Sequence, residues 1–191
     1  MMQSIKKLFS HFLQMISCSS TRVLPRMVIR TGIGYDIHPL LVGRPLVLGG
    51  IRITHPQGKG LLGHSDADVL AHAIADALLG AAGKADIGVY FPNTDASIQN
   101  ISSLLILEKV SEIIAAEGGV IINIDATLIA EEPKIGPYVD VMRSSIAGAL
   151  KIPIAAVGLK ATTNEGLGAI GRSEGIAALA TASIEMQYLC R

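Results

Sequence analysis

The sequence lacks tryptophan, has only two cysteines, and is only 4% aromatic over 191 residues. Half of the chain is hydrophobic, so its core must be built mainly from Ala, Ile, Leu and Val. Cys18 and Cys190 form no CxxC pair, so we expect neither a disulfide framework nor a cysteine metal site. No apolar run is long enough for a membrane span, so we expect a soluble protein with no membrane partner.

An excess of charge of one sign is also missing, since 16 basic and 16 acidic residues cancel. Four of the basic residues and none of the acidic ones lie within residues 1–26. The remaining chain therefore has 12 basic and 16 acidic residues, a net charge of about −4. This acidic balance argues against a nucleic-acid partner.

We interpret residues 1–26 as an N-terminal extension and residues 27–191 as one domain. The extension is basic, contains serine and lacks acid, which is typical of an organelle transit peptide. Alternatively the start codon is assigned too early and Met27 is the first residue, which we prefer because a strand pattern begins there. A secretory signal fits less well, since no clean cleavage site follows. The protein is then cytoplasmic if bacterial, or located in a plastid-type organelle if the extension is a transit peptide.

Hydrophobic patterning predicts an α+β fold. Ser65 and Asp68 predict a capping box for the first helix. Because strands and helices mix without strict alternation, we expect a single-domain α/β sandwich with a mixed β-sheet and helices packed on one side. The predicted strands are residues 27–38, a hairpin within 44–54, and 120–130 and 156–163; the predicted helices are 64–83, 100–119, 136–151 and 175–189.

Three residues have the spacing of a metal site. Asp36 and His38 are two apart on a predicted strand, so their side chains share a face. With His72 they offer one carboxylate and two imidazoles, the type of ligand set found in catalytic zinc sites. Asp68 and Asp76 lie four residues on either side of His72, and either could orient its ring.

Polar loops at the ends of elements favour a phosphorylated ligand. The HSD sequence at 64–66 opens a predicted helix, whose free N–H groups attract phosphate oxygens. Thr162, Thr163, Glu165 and Arg172 surround a Gly-rich turn. The chain has no GxxxxGK[ST] motif, which excludes a P-loop phosphate site. The residues alone thus predict a metal-dependent enzyme acting on a phosphorylated small molecule.

Five ordered motifs then resemble one known family, the 2-C-methyl-D-erythritol 2,4-cyclodiphosphate synthases of the non-mevalonate isoprenoid pathway. The motifs are GYDIH, KGLLGHSDADVLAHAIADALLGAAGKADIG, FPNTD, AEEPKIGPY and KATTNEGLGAIGRSEGIA. The resemblance covers essentially all of 27–191 and leaves out 1–26. It implies a lyase that closes 4-diphosphocytidyl-2-C-methyl-D-erythritol 2-phosphate into a cyclic diphosphate and releases CMP. It also implies a homotrimer with active sites between adjacent subunits.

The resemblance implies the following roles. Asp36, His38 and His72 hold Zn²⁺ (or Mn²⁺ or Co²⁺), and Glu165 holds Mg²⁺ (or Mn²⁺) together with the substrate diphosphate. His64 and Thr163 stabilise the transition state. Arg172 contacts an isoprenoid diphosphate that some members hold in a central channel.

The substrate-binding residues that the resemblance implies come from four stretches of the chain. They are Asp36, Ile37, His38, His64 and Ser65; Asp76, Asp86, Ile87, Gly88, Phe91, Pro92, Asn93, Thr94 and Asp95; Ala130, Glu131, Glu132, Pro133, Lys134, Ile135 and Gly136; and Ala161, Thr162, Thr163, Asn164, Glu165, Ala169 and Arg172.

The sequence departs from the family pattern at two positions, and two alternative functions remain to be distinguished. Asn93 stands where many relatives have Asp, and Ala169 where an aromatic residue is frequent. The metal-site chemistry alone also allows a metal-dependent phosphohydrolase of a nucleotide-linked small molecule. A non-catalytic trimeric module that binds isoprenoid diphosphates is the other alternative, and the intact metal triad argues against it.

Overall fold

The structure is a computed structural model that describes residues 25–92 and 101–189. By its contacts the chain divides into two units, one of residues 27–187 and one of residues 1–26 with 188–191. The first unit contains all the features discussed below. The expected binding residues Asn93, Thr94 and Asp95 lie outside the described residues.

The described residues form an α+β fold with one larger and one smaller sheet. The strands are β1 (Pro25–Val42), β2 (Leu46–Leu48), β3 (Ile51–Ile53), β4 (Lys59–Leu61), β5 (Val120–Ile129), β6 (Val157–Thr162) and β7 (Gly175–Leu189). The helices are α1 (Val69–Ala81), α2 (Ile87–Tyr90), α3 (Ser103–Ala116), α4 (Val139–Leu150) and α5 (Gly168–Gly171), with 3₁₀ turns at Gly136–Tyr138 and Ile154–Ala156.

The larger sheet has the strand order β4-β1-β7-β5-β6, and β2 pairs with β3 in the smaller one. β5 runs parallel to β6 but antiparallel to β7, and β1 runs antiparallel to β4. The sheet is therefore mixed, and the expected α+β fold class is confirmed.

The closing element is a strand, so the prediction of a helix over 175–189 was wrong. Its alanines favour a helix. However, Ile176, Ala180 and Ile184 alternate with exposed Leu179 and Thr181, and this period of two fits a strand with one buried face. β7 lies between β1 and β5, where pairing on both edges overrides helix propensity.

Helix α1 begins at Val69, five residues later than the predicted start at residue 64. Asp68 is its N-cap, and one carboxylate oxygen accepts hydrogen bonds from the backbone of Leu70 and Ala71, each at 3.1 Å. Its other oxygen accepts from Gly50 at 2.7 Å. The expected capping box on Ser65 was therefore wrong, and Ser65 is left available for the pocket.

Two glycines let β1 approach α1 closely. A Cβ at Gly32 or Gly34 would overlap the carbonyl oxygens of Ala77 or Ala73 in the helix. The same face of β1 carries Asp36, which is thereby brought over α1. The opposite face of the strand is left exposed and apolar, with Ile33 at 67% exposure.

Helices α1, α3 and α4 pack around a shared core with the covered face of the sheet. That core is largely aliphatic, as the composition requires. None of the helices in the described part of the chain is both long and apolar enough to cross a membrane.

Candidate active site

Asp36, His38 and His72 converge where β1 crosses α1. The Asp36 Oδ2 atom lies 2.9 Å from His72 Nδ1 and 3.1 Å from His38 Nε2. The ligand atoms of all three residues lie within 4.8 Å of one another. Two atoms bound to one tetrahedral zinc ion are about 3.3 Å apart, so both the donor types and their spacing fit such an ion. This is a candidate metal site, at the residues that the sequence predicts.

Asp36 and His72 stabilise one another's charged forms, and His38 adds to the effect on Asp36. Burial alone would raise the pKa of Asp36, but hydrogen bonds and charge from His38 and His72 hold that pKa well below its usual range. Burial opposes protonation of His72, but its hydrogen bond to Asp36 and the negative charges of Asp36, Asp68 and Asp66 together raise its pKa. A carboxylate that stays ionised beside imidazoles is prepared for a divalent cation.

The far side of the His72 ring faces two hydroxyl groups. His72 Nε2 lies 3.0 Å from Ser103 Oγ and 3.1 Å from Ser65 Oγ. The Ser103 hydroxyl donates a short hydrogen bond to Asp66, and the Ser103 backbone N–H donates to the same carboxylate at 2.9 Å. Neither Asp68 nor Asp76 hydrogen-bonds His72, so the expectation that one of them orients the ring was wrong.

Those two carboxylates are used elsewhere. Asp68 is committed to the helix cap and to Gly50. Asp76 accepts a hydrogen bond from the backbone N–H of Ile87 at 2.9 Å, and thereby ties α1 to α2. Burial raises the pKa of Asp76, and the charges of Asp86 and Asp36 add to this effect. Asp76 and Asp86 share a shallow pocket with Tyr35.

The triad lines a pocket of about 210 Å³ whose other walls come from the neighbouring loops and helices. His64 and Ser65 lie on the loop before α1, and Phe91 follows α2. Ile101 and Ile106 add an apolar wall that sequence reasoning missed. The lining residues are Asp36, His38, His64, Ser65, His72, Ile87, Gly88, Phe91, Ile101 and Ile106.

A second pocket of about 450 Å³ lies between the loop after β5 and the end of β6. Lys134 supplies a cation there, and the Thr163 hydroxyl donates to Glu165 Oε1 at 3.0 Å. The lining residues are Ala130, Pro133, Lys134, Ile135, Gly136, Pro137, Ala161, Thr162, Thr163 and Glu165.

Two expected binding residues beside this second pocket, Glu131 and Glu132, make hydrogen bonds to other parts of the chain. Glu131 accepts hydrogen bonds from the backbone of Asn164 at 2.8 Å and Gly166 at 3.3 Å, and so joins the two loops. Glu132 instead accepts from Gln57 at 3.5 Å. Four further expected binding residues line neither of these two pockets. Ile37 and Pro92 are exposed, and Ala169 lies on α5. The Nε atom of Arg172 lies 2.7 Å from Glu174.

Backbone strain occurs in the loops of both pockets. Ala67, between Ser65 and α1, has φ +58°, and Glu165 has φ +51°. A left-handed conformation at a residue other than glycine is uncommon and costs energy, and it concentrates at functional sites.

A single chain does not bring all the expected site residues together. The first pocket contains the triad and His64, whereas the second contains Lys134, Thr163 and Glu165. No residue lines both of these pockets.

Sequence reasoning did not identify Ser103 or Asp66 as partners of the metal site. Ser103 is 31 residues from His72 in the chain, on another helix, so no local spacing links them. Asp66 was visible only as part of the HSD motif.

Fold and site together define a small α+β protein with a candidate Asp–His–His metal centre beside a polar pocket. The YgbB family model matches residues 29–185 of this chain. The 2-C-methyl-D-erythritol 2,4-cyclodiphosphate synthase of Desulfatibacillum aliphaticivorans is 57% identical over 157 residues, which cover 82% of this chain and 100% of that protein. The chain belongs to the YgbB family, and the cyclodiphosphate synthase family and enzyme class expected from the motifs are confirmed.

Solved structures agree with this assignment. The bifunctional IspDF from Campylobacter jejuni has a TM-score of 0.80 and 40% identity, with 84% of this chain covered and 43% of that one. This chain therefore spans less than half of the bifunctional protein. IspF from Plasmodium falciparum, as a CDP complex, has a TM-score of 0.72 and 34% identity, with 83% and 96% covered.

Proposed function

We propose that this chain is a phosphorus–oxygen lyase of isoprenoid precursor biosynthesis. It converts 4-diphosphocytidyl-2-C-methyl-D-erythritol 2-phosphate to 2-C-methyl-D-erythritol 2,4-cyclodiphosphate and CMP. The observation that carries the proposal is the convergence of Asp36, His38 and His72 in a chain that belongs to this family. Relatives named as 2-C-methyl-D-erythritol 2,4-cyclodiphosphate synthases are 53% to 57% identical to it.

The reaction needs no side-chain nucleophile. The 2-phosphate oxygen attacks the β-phosphorus, the new P–O bond closes an eight-membered ring, and CMP leaves with the electron pair of the broken bond. An ionised phosphate is already nucleophilic, so the protein contributes positioning and charge stabilisation. Ser65, His72 and Asp36 are hydrogen-bonded in series, but this reaction does not require the Ser65 hydroxyl to act as a nucleophile.

We propose that Asp36, His38 and His72 hold Zn²⁺ (or Mn²⁺ or Co²⁺), and that Glu165 holds Mg²⁺ (or Mn²⁺) with the substrate diphosphate. Bound divalent cations supply charge neutralisation and polarise the phosphoryl group under attack. The carboxylate of Glu165 is exposed and contacts only the Thr163 hydroxyl among described side chains, which suits a hard cation that keeps several of its water ligands.

His64 and Thr163 are the proposed transition-state contacts. His64 is exposed at the mouth of the metal pocket, where it can donate to the 2-phosphate. Thr163 can redirect its hydroxyl from Glu165 to a phosphate oxygen when a cation occupies the carboxylate. The pocket around Lys134 is the proposed cytidine site, and the CDP complex of the similar P. falciparum protein supports this proposal.

We propose a homotrimer in which the metal pocket of one subunit faces the cytidine pocket of the next. The uncovered sheet face supports an assembly, because Ile29, Ile33 and Tyr35 are 59%, 67% and 56% exposed there, and Leu179 is 40% exposed. Large apolar patches of this kind mark interfaces. The division of the expected site residues between two pockets also supports a neighbouring subunit that brings them together. A central channel with Arg172 as its phosphate contact is the proposed place for an isoprenoid diphosphate.

We further propose that residues 27–191 are the catalytic domain and residues 1–26 an extension. A chain that starts at Met27 in a bacterium would be cytoplasmic, and a transit peptide would direct the protein to a plastid-type organelle.

Incubation of the purified protein with the cytidylylated substrate and Mg²⁺, followed by mass analysis, tests the activity. We expect CMP and the cyclic diphosphate in equal amounts. Inorganic phosphate without a cyclic product would instead support the phosphohydrolase alternative, and binding without turnover would support the non-catalytic module.

Mixed trimers test the shared site. Asp36→Ala inactivates the metal half, and a Lys134→Ala/Thr163→Val double variant inactivates the cytidine half. Every mixed trimer contains one junction of two intact halves, and about three quarters of randomly assembled trimers are mixed, so about a quarter of sites should recover. Coassembled trimers, verified by two tags, that remain as inactive as their parents would place the site within one subunit.

A further inference from the structure

His72 has two ring nitrogens, and the structure gives them different neighbours. Nδ1 lies 2.9 Å from Asp36 Oδ2, on the side where the ligand atoms of the triad converge. Nε2 points the opposite way, into the protein, toward Ser65 and Ser103. A metal at the triad therefore takes Nδ1, which leaves the hydrogen of a neutral imidazole on Nε2.

The two hydroxyls that face Nε2 differ in how firmly they are held. Ser103 is fully buried, and its hydroxyl hydrogen goes to Asp66 in the short contact described above. Its oxygen is then free to accept from His72 Nε2–H at 3.0 Å. The backbone N–H of Ser103 also bonds to Asp66, so the carboxylate fixes both the main chain and the side chain of Ser103.

Ser65, in contrast, lies on the loop before α1 and is only half-buried. Its Oγ accepts from the backbone of Ala67 at 3.2 Å and lines the metal pocket. One N–H can make only one well-directed hydrogen bond, so His72 does not need both hydroxyls.

We propose that Ser103, held by Asp66, is the positioning residue that fixes the ring of His72 as an Nδ1 metal ligand. This inference rests on the proposed metal-dependent function. Ser103 carries the orienting hydrogen bond throughout, and Ser65 can turn toward the substrate without releasing the ligand. The two serines then have different tasks, because Ser103 orients the metal ligand and Ser65 remains available to the substrate.

If Ser103 positions His72, its loss should weaken metal binding directly and should affect substrate binding only through the metal. Partners that orient a ligating histidine typically contribute 10-fold to 100-fold to metal affinity. Without the Ser103 hydroxyl, Nε2 of the ring keeps only the hydrogen bond to Ser65, which belongs to a loop. His72 then has more orientations available, and fewer of them present Nδ1 to the ion.

The test is a Co²⁺ titration of the metal-free full-length protein, in which the visible absorption of bound Co²⁺ is measured. We expect Ser103→Ala to weaken Co²⁺ binding about 10-fold to 100-fold and Ser65→Ala to change it less than about twofold. Ser111→Ala is the matched control, because Ser111 lies on the same helix α3 and loses one hydrogen bond, to the carbonyl of Leu150. It should bind Co²⁺ like the unaltered protein.

Two further measurements separate positioning from general damage. At saturating metal, Ser65→Ala should raise KM for the substrate, whereas Ser103→Ala should regain most of its kcat. Asp66→Ala should weaken Co²⁺ binding in the unaltered protein but add little in the Ser103→Ala background, because it acts through Ser103. Thermal melting confirms that each variant is folded.

Co²⁺ affinity of Ser103→Ala within about twofold of the unaltered protein would overturn the proposal, as would an equal loss in Ser65→Ala or in Ser111→Ala. The Co²⁺ measurement does not depend on turnover. An unaltered protein that binds Co²⁺ tightly but forms no cyclic product would refute the proposed function and leave the role of Ser103 standing.

Discussion

Replacing Gly34 by alanine should damage the metal centre without touching any of its ligands. Gly34 is two residues before Asp36 on the same face of β1 and lies against helix α1. Its added Cβ would lie 2.7 Å from the backbone nitrogen of Ala77, and closer still to the carbonyl oxygen of Ala73. Both obstructing atoms belong to helix backbone, so no side-chain rotation relieves the overlap.

The expected cost follows from this geometry. Overpacking a close contact costs about 1–3 kcal/mol, and an obstruction by backbone places Gly34→Ala near the upper end. For a chain of this size, about 3 kcal/mol corresponds to a fall in Tm of roughly 6–12 °C. The strand and helix must also separate, and metal sites tolerate only about 0.2 Å of change in ligand distances. The 2.9 Å spacing of Asp36 Oδ2 and His72 Nδ1 would then be lost.

Gly148→Ala is the matched control, since it adds the same methyl group where no atom lies within 4 Å. Gly148 is exposed within helix α4, and alanine there should stabilise the protein by about 0.5–1 kcal/mol. Thermal melting at fixed protein concentration and Co²⁺ titration measure both effects. A Gly34→Ala protein with unchanged Tm and unchanged Co²⁺ affinity would refute the argument that β1 and α1 position the triad by close packing.

Three other predictions concern the metals and the N-terminal segment. Because the pKa of His72 is raised, a proton competes with the metal at this ligand, and Co²⁺ affinity should fall about tenfold per pH unit below that pKa; affinity that is independent of pH down to about pH 5 would contradict this. Glu165→Gln should raise the Mg²⁺ concentration needed for half-maximal activity with Zn²⁺ content unchanged, and loss of Zn²⁺ by this variant would mean that the two metal roles are misassigned. A protein starting at Met27 should fold and turn over like the full chain, whereas aggregation or inactivity would show that residues 1–26 are structural.

The sequence predicts the central elements of this fold where pattern and propensity agree. The hairpin around Gly49–Gly50 and the strands β5 and β6 were expected, and the structure confirms them. β7 was misassigned because its alanines favour a helix while its period of two favours a strand. The pairing of β7 with β5, which resolves that conflict, joins residues 48 to 65 positions apart and leaves no local signal.

In the site too, the sequence predicts local relationships but not contacts between distant parts of the chain. The spacing of Asp36 and His38 predicts a shared strand face, and the structure confirms that both meet His72. The choice of partner for the His72 ring was wrong, because helical spacing favoured Asp68 and Asp76 over a serine on another helix. Helix capping removes Asp68 from the metal site, and that use becomes visible only when the start of α1 is known.

The arrangement of the two pockets has a consequence for how activity depends on assembly. One chain carries the metal triad with His64 in one pocket and Lys134 with Thr163 and Glu165 in another. With the proposed residue roles, a substrate with a diphosphate between a cytidine and a methylerythritol would have to reach both sets of residues at once. If the two sets meet only across a subunit junction, a separated subunit keeps its metal ligands but cannot bring the phosphates together. Metal affinity should then survive dissociation of the proposed trimer, since Asp36, His38 and His72 all belong to one chain, and turnover should not.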